Sequence, residues 1–168
     1  MVETIPDFLH PEQHALLHKR TCEEYRSLDP DPLPYVYKPG IVSSGDGYFF
    51  FYHRLLDREA HVISEFYHDI GGPVLGRLNY NVIHRMKVNL YTNTGSQDKH
   101  GFHIDMPWME HRILLYCVNT NNGYTEFEDG TKLPSIANQA YIFDGKHKHQ
   151  SVSQTDTDIR VNVNVVFT

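Results

Sequence analysis

The chain has 168 residues, which fits one domain and is long enough to bury a single good core. An apolar fraction of 40% and a charged fraction of 21% exclude a disordered chain, and a formal charge of −6 argues against a general nucleic-acid-binding surface. No apolar run approaches the roughly 20 residues that cross a bilayer, the start Met1-Val-Glu-Thr carries no signal-peptide pattern, and two cysteines make no disulfide framework, so a soluble cytoplasmic protein is expected.

Phe8 to Tyr25 reads as a helix. Pro11 suits its first turn, and Leu9, Ala15, Leu16 and Cys22 recur at roughly helical spacing. Ser27 to Tyr35 carries Pro30, Pro32 and Pro34, so it reads as a loop or extended arm. Gly45-Asp-Gly47 marks a turn, and Tyr48-Phe-Phe-Phe-Tyr52 has strand character. That aromatic run reads as core packing rather than as the lining of a substrate pocket. Leu55 to Ile70 reads as a second helix, ended by Gly71-Gly72-Pro73.

From Val82 the texture changes. Val82–Tyr91, Arg112–Val118, Thr125–Gly130 (a short strand and its turn), Ala140–Phe143 and Arg160–Phe167 read as strand segments bounded by Asn, Asp and Gly turns. In the last segment apolar residues fall at every second position through Val165, the pattern of a strand with one buried face. A mainly β sandwich or jelly roll is predicted, with the N-terminal helices packed outside it. One domain over 1–168 is expected, with a supporting part to about residue 81 and a β core from about residue 82.

Three sites in the β half fit together. His103-Ile-Asp105 places an imidazole and a carboxylate two positions apart, on one face if the segment is a strand. His149 follows 44 positions later, just after Phe143-Asp-Gly145. Two histidines and one carboxylate, with the remaining positions open, form the facial triad of non-haem Fe(II) oxygenases. Arg160 lies 11 residues further on, and a guanidinium fork is the natural partner of a keto-acid's carboxylate. His147, two before His149, is the main rival as third ligand. His100 and His111 read as loop residues, and the seven other histidines as surface or satisfied core groups.

Over most of its length the chain also resembles the 2-oxoglutarate- and Fe(II)-dependent oxygenases, in their prolyl-4-hydroxylase-like branch, and is similar to small oxygenases of marine bacteriophages. The resemblance is carried by Lys87–Tyr91, His100–Asp105, Tyr116–Thr125, Phe127–Lys132, Phe143–Gly145 and His149 through Asn164, with the opening Ile5–Glu12. It implies a double-stranded β-helix holding Fe(II) near one mouth, with His103, Asp105 and His149 as ligands. It implies that Arg160 pairs with the distal carboxylate of the cosubstrate 2-oxoglutarate and that Tyr91 hydrogen-bonds the same molecule. Asn89 matches an Asn-x-Tyr pattern of the nucleic-acid demethylase branch, and Asn162 shares a face with Arg160. Cys117 departs from relatives that carry an aromatic residue there. The implied activity is an O2-consuming hydroxylation of a peptidyl (prolyl) or small-molecule substrate, releasing succinate and CO2. An oxidative nucleic-acid demethylase and a non-catalytic cupin-like jelly roll are the alternatives. The location implied is the cytoplasm, that of the host if the chain is phage-encoded.

Overall fold

The described residues contain ten strands in two sheets. A computed structural model describes residues 1–23, 32–57 and 59–168. The strands are β1 (Glu3–Ile5), β2 (Val36–Pro39), β3 (Phe49–Leu56), β4 (Ile83–Thr92), β5 (Arg112–Cys117), β6 (Asn121–Phe127), β7 (Lys132–Ser135), β8 (Gln139–Asp144), β9 (His149–Val152) and β10 (Ile159–Phe167). The major sheet has the order β1-β8-β5-β10-β4-β3-β2 and the minor sheet β7-β6-β9. Every pairing is antiparallel. Two antiparallel sheets facing each other with these crossovers make the jelly roll that the strand spacing predicts.

The two central strands of the major sheet, β4 and β10, are polar toward the minor sheet and apolar away from it. In β10, Val161, Val163 and Val165 point to the outer side; in β4, Met86, Val88 and Leu90 do the same. They pack there against Leu17 of α1 (Pro11–His18), Ile70, and Val74 and Leu75 of α2 (Gly72–Leu75). A second cluster, including Ile113, Leu115, Phe127, Leu133, Tyr141 and Phe143, fills part of the space between the sheets. The alternate residues Arg160, Asn162 and Asn164 are buried as well, 1%, 3% and 6% exposed. One-face burial of this strand is therefore corrected: the valines meet the helical layer, and the polar residues line an interior cavity rather than solvent.

Several sequence expectations change. The predicted helix over Leu55–Ile70 begins as the end of β3, where His53 pairs with Val88 and Leu56 with Met86. A π-helical turn, Tyr67–Gly71, then leads into α2, so Gly71-Gly72-Pro73 continues the helical path instead of ending it. Pro73 is tolerated because it sits in the first turn, where its missing N–H is no loss. The N-terminal helix starts at Pro11, not Phe8, and continues as a π-helical stretch, Lys19–Glu23. Its buried residue is Leu17, while Leu16 is 42% exposed. The expected end of this helix at Tyr25 and positions 27–31 of the proline-rich segment lie outside the described residues. No described helix is long and apolar enough to cross a membrane.

Asn138 fastens the N-terminal layer to the β core. Its side chain accepts from the Leu9 N–H and donates to the Leu9 carbonyl, both at 2.9 Å. Tyr116, under that layer, donates to the same Asn138 oxygen.

Candidate metal centre

His103 and Asp105 do not lie in a regular strand, as the alternation argument expects. His103 forms an isolated bridge with His149, each N–H donating to the other's carbonyl at 2.9 and 3.0 Å. This pairing, not strand geometry, sets the two imidazoles side by side, with ring centroids 4.7 Å apart. Asp105 follows in a bend, and its Oδ1 lies 3.7 Å from His103 Nε2. One ligating atom from each of His103, Asp105 and His149 lies within 4.8 Å of the others.

The tautomers are set by the backbone. His103 Nδ1 meets the Gly101 carbonyl at 3.3 Å, and His149 Nδ1 meets the His147 carbonyl at 3.0 Å. A carbonyl only accepts, so both Nδ1 atoms carry hydrogen, and in the neutral ring Nε2 then holds the lone pair that a metal ligand requires. Burial, and then the neighbouring His149, lowers the pKa of His103 and favours its neutral form. Burial works against charge on Asp105, but Arg85 and then Lys87 hold its carboxyl well below the usual range. Arg85 grips Asp105 Oδ2 at 2.6 Å, and Asn164 Nδ2 approaches the same oxygen at 3.4 Å. Oδ1 is left toward the histidines. Two imidazole Nε2 atoms and one carboxylate oxygen on a single side suit a ferrous ion. His147 is exposed, with its ring against Phe127, and stands outside this group.

Arg160 lies in the same cavity, at the start of β10. Its Nε donates to Ser135 Oγ at 2.9 Å, and one terminal nitrogen to Ser151 Oγ (3.1 Å) and the Val152 carbonyl (3.3 Å). The other donates to Thr125 Oγ1 at 3.2 Å. Every acceptor is neutral. No acid pairs with this buried guanidinium among the described residues, and burial lowers its pKa without an offsetting carboxylate. A guanidinium has five N–H groups, so four bonds leave one for a ligand. Its carbon sits 5.4 Å from the centroid of Tyr91, which stacks between Phe50 and His100. The Tyr91 hydroxyl meets Ser151. Gly123 gives Arg160 its room: a Cβ there would stand 2.9 Å from Arg160 Cδ and from the Val152 carbonyl oxygen.

The cavity between these groups has a volume of about 250 Å³. Asn89 and Asn162 line it, joined by a 3.0 Å bond from Asn89 Nδ2 to Asn162 Oδ1, and the buried Asn89 Oδ1 has no partner among the described residues. Phe50 also lines it, which overturns the core-only reading of that aromatic residue; Phe51, by contrast, packs on the outer core. His100 is buried against Ser151, and burial followed by Arg160 pushes its pKa down to about 4.

Sequence reasoning missed three cations on this cavity: Lys38, Arg85 and Lys87. Arg85, Lys87, Asn89 and Tyr91 occupy alternate positions of β4 and so share its inner face. Their spacing was readable, but nothing in the sequence says that this face turns inward. Burial, and then Arg85, lowers the Lys87 ammonium to about 7.

No family model matches the chain, and no curated protein matches it in sequence. Solved structures match it in fold. An oxidoreductase of the 2OG-Fe(II) oxygenase family from Burkholderia pseudomallei has a TM-score of 0.67 at 10% identity, over 99% of this chain and 84% of the other. The viral collagen prolyl hydroxylase vCPH from Paramecium Bursaria Chlorella virus-1, in its 2OG complex, has a TM-score of 0.60 at 13% identity, over 98% and 93%. The non-heme alpha ketoglutarate dependent epimerase SnoN from nogalamycin biosynthesis has a TM-score of 0.65 at 16% identity, over 99% and 78%. Likeness at this level of identity is likeness of fold. The chain is a jelly roll of the kind found in the 2OG-Fe(II) oxygenases.

Proposed function

We propose that this chain is an Fe(II)- and 2-oxoglutarate-dependent oxygenase. In this reading His103, Asp105 and His149 hold the metal, and Arg160 takes the distal carboxylate of 2-oxoglutarate. The observation that carries it is one cavity with a three-donor cluster at one place and a buried, acid-free guanidinium at another. A desolvated cation among neutral acceptors is costly to keep unless an anion completes it. That cost also weighs against the non-catalytic jelly-roll reading.

When bound, ferrous iron and 2-oxoglutarate supply the activation of O2 and the oxidation of a C–H bond, with succinate and CO2 released. The protein's own contribution is positional. The Gly101 and His147 carbonyls fix the imidazole tautomers, and Arg85 turns Asp105 so that one oxygen faces the histidines. Arg160 orients the dicarboxylate along the cavity, beside Tyr91 and the hydrogen-bonded pair Asn89 and Asn162. Hydroxylation of a peptidyl or small-molecule substrate is the reaction we read here. The collagen prolyl hydroxylase and the epimerase on this fold show that the fold admits more than one outcome.

The test is spectroscopic and mutational. Anaerobic protein with Fe(II) and 2-oxoglutarate is expected to show a weak visible charge-transfer band. His103→Ala and Asp105→Ala are expected to lose the band and to abolish uncoupled succinate formation, while His147→Ala keeps both. Absence of the band in metal-loaded protein would sink the proposal. Loss of it in His147→Ala would move the third ligand.

A further inference from the structure

The cavity holds more positive charge than the metal and 2-oxoglutarate account for. Lys38, Arg85, Lys87 and Arg160 line it, and Asp105 is the one acid among its described lining residues. Under the function proposed above, Arg160 is matched by the distal carboxylate. Arg85 is matched by Asp105, although its buried Nε still lacks an acceptor. The other carboxylate of 2-oxoglutarate offsets half of a divalent metal's charge. Lys38 and Lys87 are left over.

These two lysines converge. Their ammonium nitrogens lie 5.1 and 5.2 Å from the centroid of one ring, Phe50. Among the described residues Lys38 has a single long bond, 3.4 Å to the Ile41 carbonyl. Lys87 Nζ has no hydrogen-bond or ion-pair partner among the described residues. It projects from the middle of β4, opposite Asn164 on one side and Arg54 on the other. Arg85, two positions before it on the same face, and Asn164, opposite it on β10, both contact Asp105, whereas Arg160 lies opposite Tyr91, four positions further along β4. Lys87 therefore stands toward the metal end of the cavity, where a substrate's reacting carbon must come. The acid in its field, Asp105, is already taken by Arg85 at 2.6 Å, so this half-buried ammonium has no ion-pair partner of its own among the described residues.

We propose that the substrate oxidised here carries a carboxylate or phosphate group, bound by Lys87 and Lys38 beside Phe50. The proposal rests on the oxygenase reading for the place of the reaction, but the anion site itself is a property of these side chains. Phe50 adds an apolar wall, which suits a small organic anion better than a free inorganic one. Ile41 and Val42, from the turn after β2, complete the rim.

Calorimetric titration of protein holding Mn(II) and 2-oxoglutarate tests this without turnover. The probes are N-acetyl-L-proline against its amide, and phosphoserine against serine. The anionic member of one pair is expected to bind at least tenfold more tightly than its neutral partner, and the pair concerned tells carboxylate from phosphate. Lys87→Met and Lys38→Met are each expected to remove most of that ratio while the 2-oxoglutarate Kd stays within about twofold. Retained 2-oxoglutarate binding shows that a variant has folded, and Lys87→Gln serves if Lys87→Met has not. No preference for either anion overturns the proposal. So does a loss of 2-oxoglutarate binding in folded, Mn(II)-binding Lys87→Met as large as in Arg160→Met, which would give the lysine to the cosubstrate. Failure of the unmutated protein to bind 2-oxoglutarate at all would instead count against the oxygenase reading, and the anion-to-neutral ratio would still report on the lysines.

Discussion

Arg160 uses four of its five N–H groups on Ser135, Ser151, Val152 and Thr125, which hold the fork in one orientation. An ammonium has three donors and no plane, so it cannot satisfy those oxygens and still reach a ligand. Arg160→Lys is expected to raise the 2-oxoglutarate Kd at least tenfold, measured calorimetrically with Mn(II) present. An unchanged Kd would place the anchor on another residue. Arg160 stood out in the sequence because its distance from His149 fits a known order of motifs. Arg85, Lys87 and Lys38 carried no such marker, and a basic residue on a strand usually faces water. Their placement depends on which way β4 faces, and that is decided by a helical layer encoded far away, around Leu17 and Ile70. The pairing of His103 with His149 is likewise a long-range contact that no local pattern announces.

At the scale of elements, the turn between β2 and β3 deserves a mechanism because Ile41 and Val42 border the cavity. Asp46 organises it. Its Oδ2 accepts from the N–H groups of Ile41, Val42 and Ser43, and its Oδ1 from that of Tyr48. Gly40, at φ +78°, admits no Cβ, which would meet the Ser43 carbonyl oxygen at 2.0 Å. Partial burial works to raise the Asp46 pKa, but the four backbone donors prevail and bring it down to about 2. A depressed folded value means that the loop's order is in full force above the ordinary carboxylate range near 4, and is lost as pH falls through about 2. Asp46→Ala is expected to speed amide exchange across positions 41–48 at pH 7 while leaving the β10 amides protected. Equal protection in both proteins would remove Asp46 from this role. The longer strands were legible, β10 from its period-2 patterning, β4 from a looser alternation, β5 from a compact apolar run and β8 from a short apolar stretch closed by Asp144-Gly145. The short β1, β2, β7 and β9 were not, because three or four residues, some with Pro39 or Pro134 among them, carry no period. The false helix over Leu55–Ile70 arose from helix-compatible residues, of which Leu55 and Leu56 end β3 and 67–70 enter a π-helical turn.

On the scale of the whole molecule, the major sheet separates two interiors. One is the dry core under the N-terminal helices; the other is the polar cavity facing the minor sheet. Leu17, fully buried in the first, is remote from the second. Leu17→Ala is expected to cost about 3 kcal/mol, lowering Tm by roughly 6 to 12 °C, yet to leave the 2-oxoglutarate Kd unchanged at 20 °C. A matching loss of ligand binding in folded protein would mean that the two interiors are coupled. The cavity's cations also bear on the exterior. The chain's net charge is −6 even though four of its Lys and Arg side chains line that interior space. The rest of the chain is thus more acidic than the total suggests. On the proposed reading this division of charge works as an electrostatic sieve: a small anion that passes the rim would find attraction inside, while the acidic remainder of the chain would oppose a long polyanion.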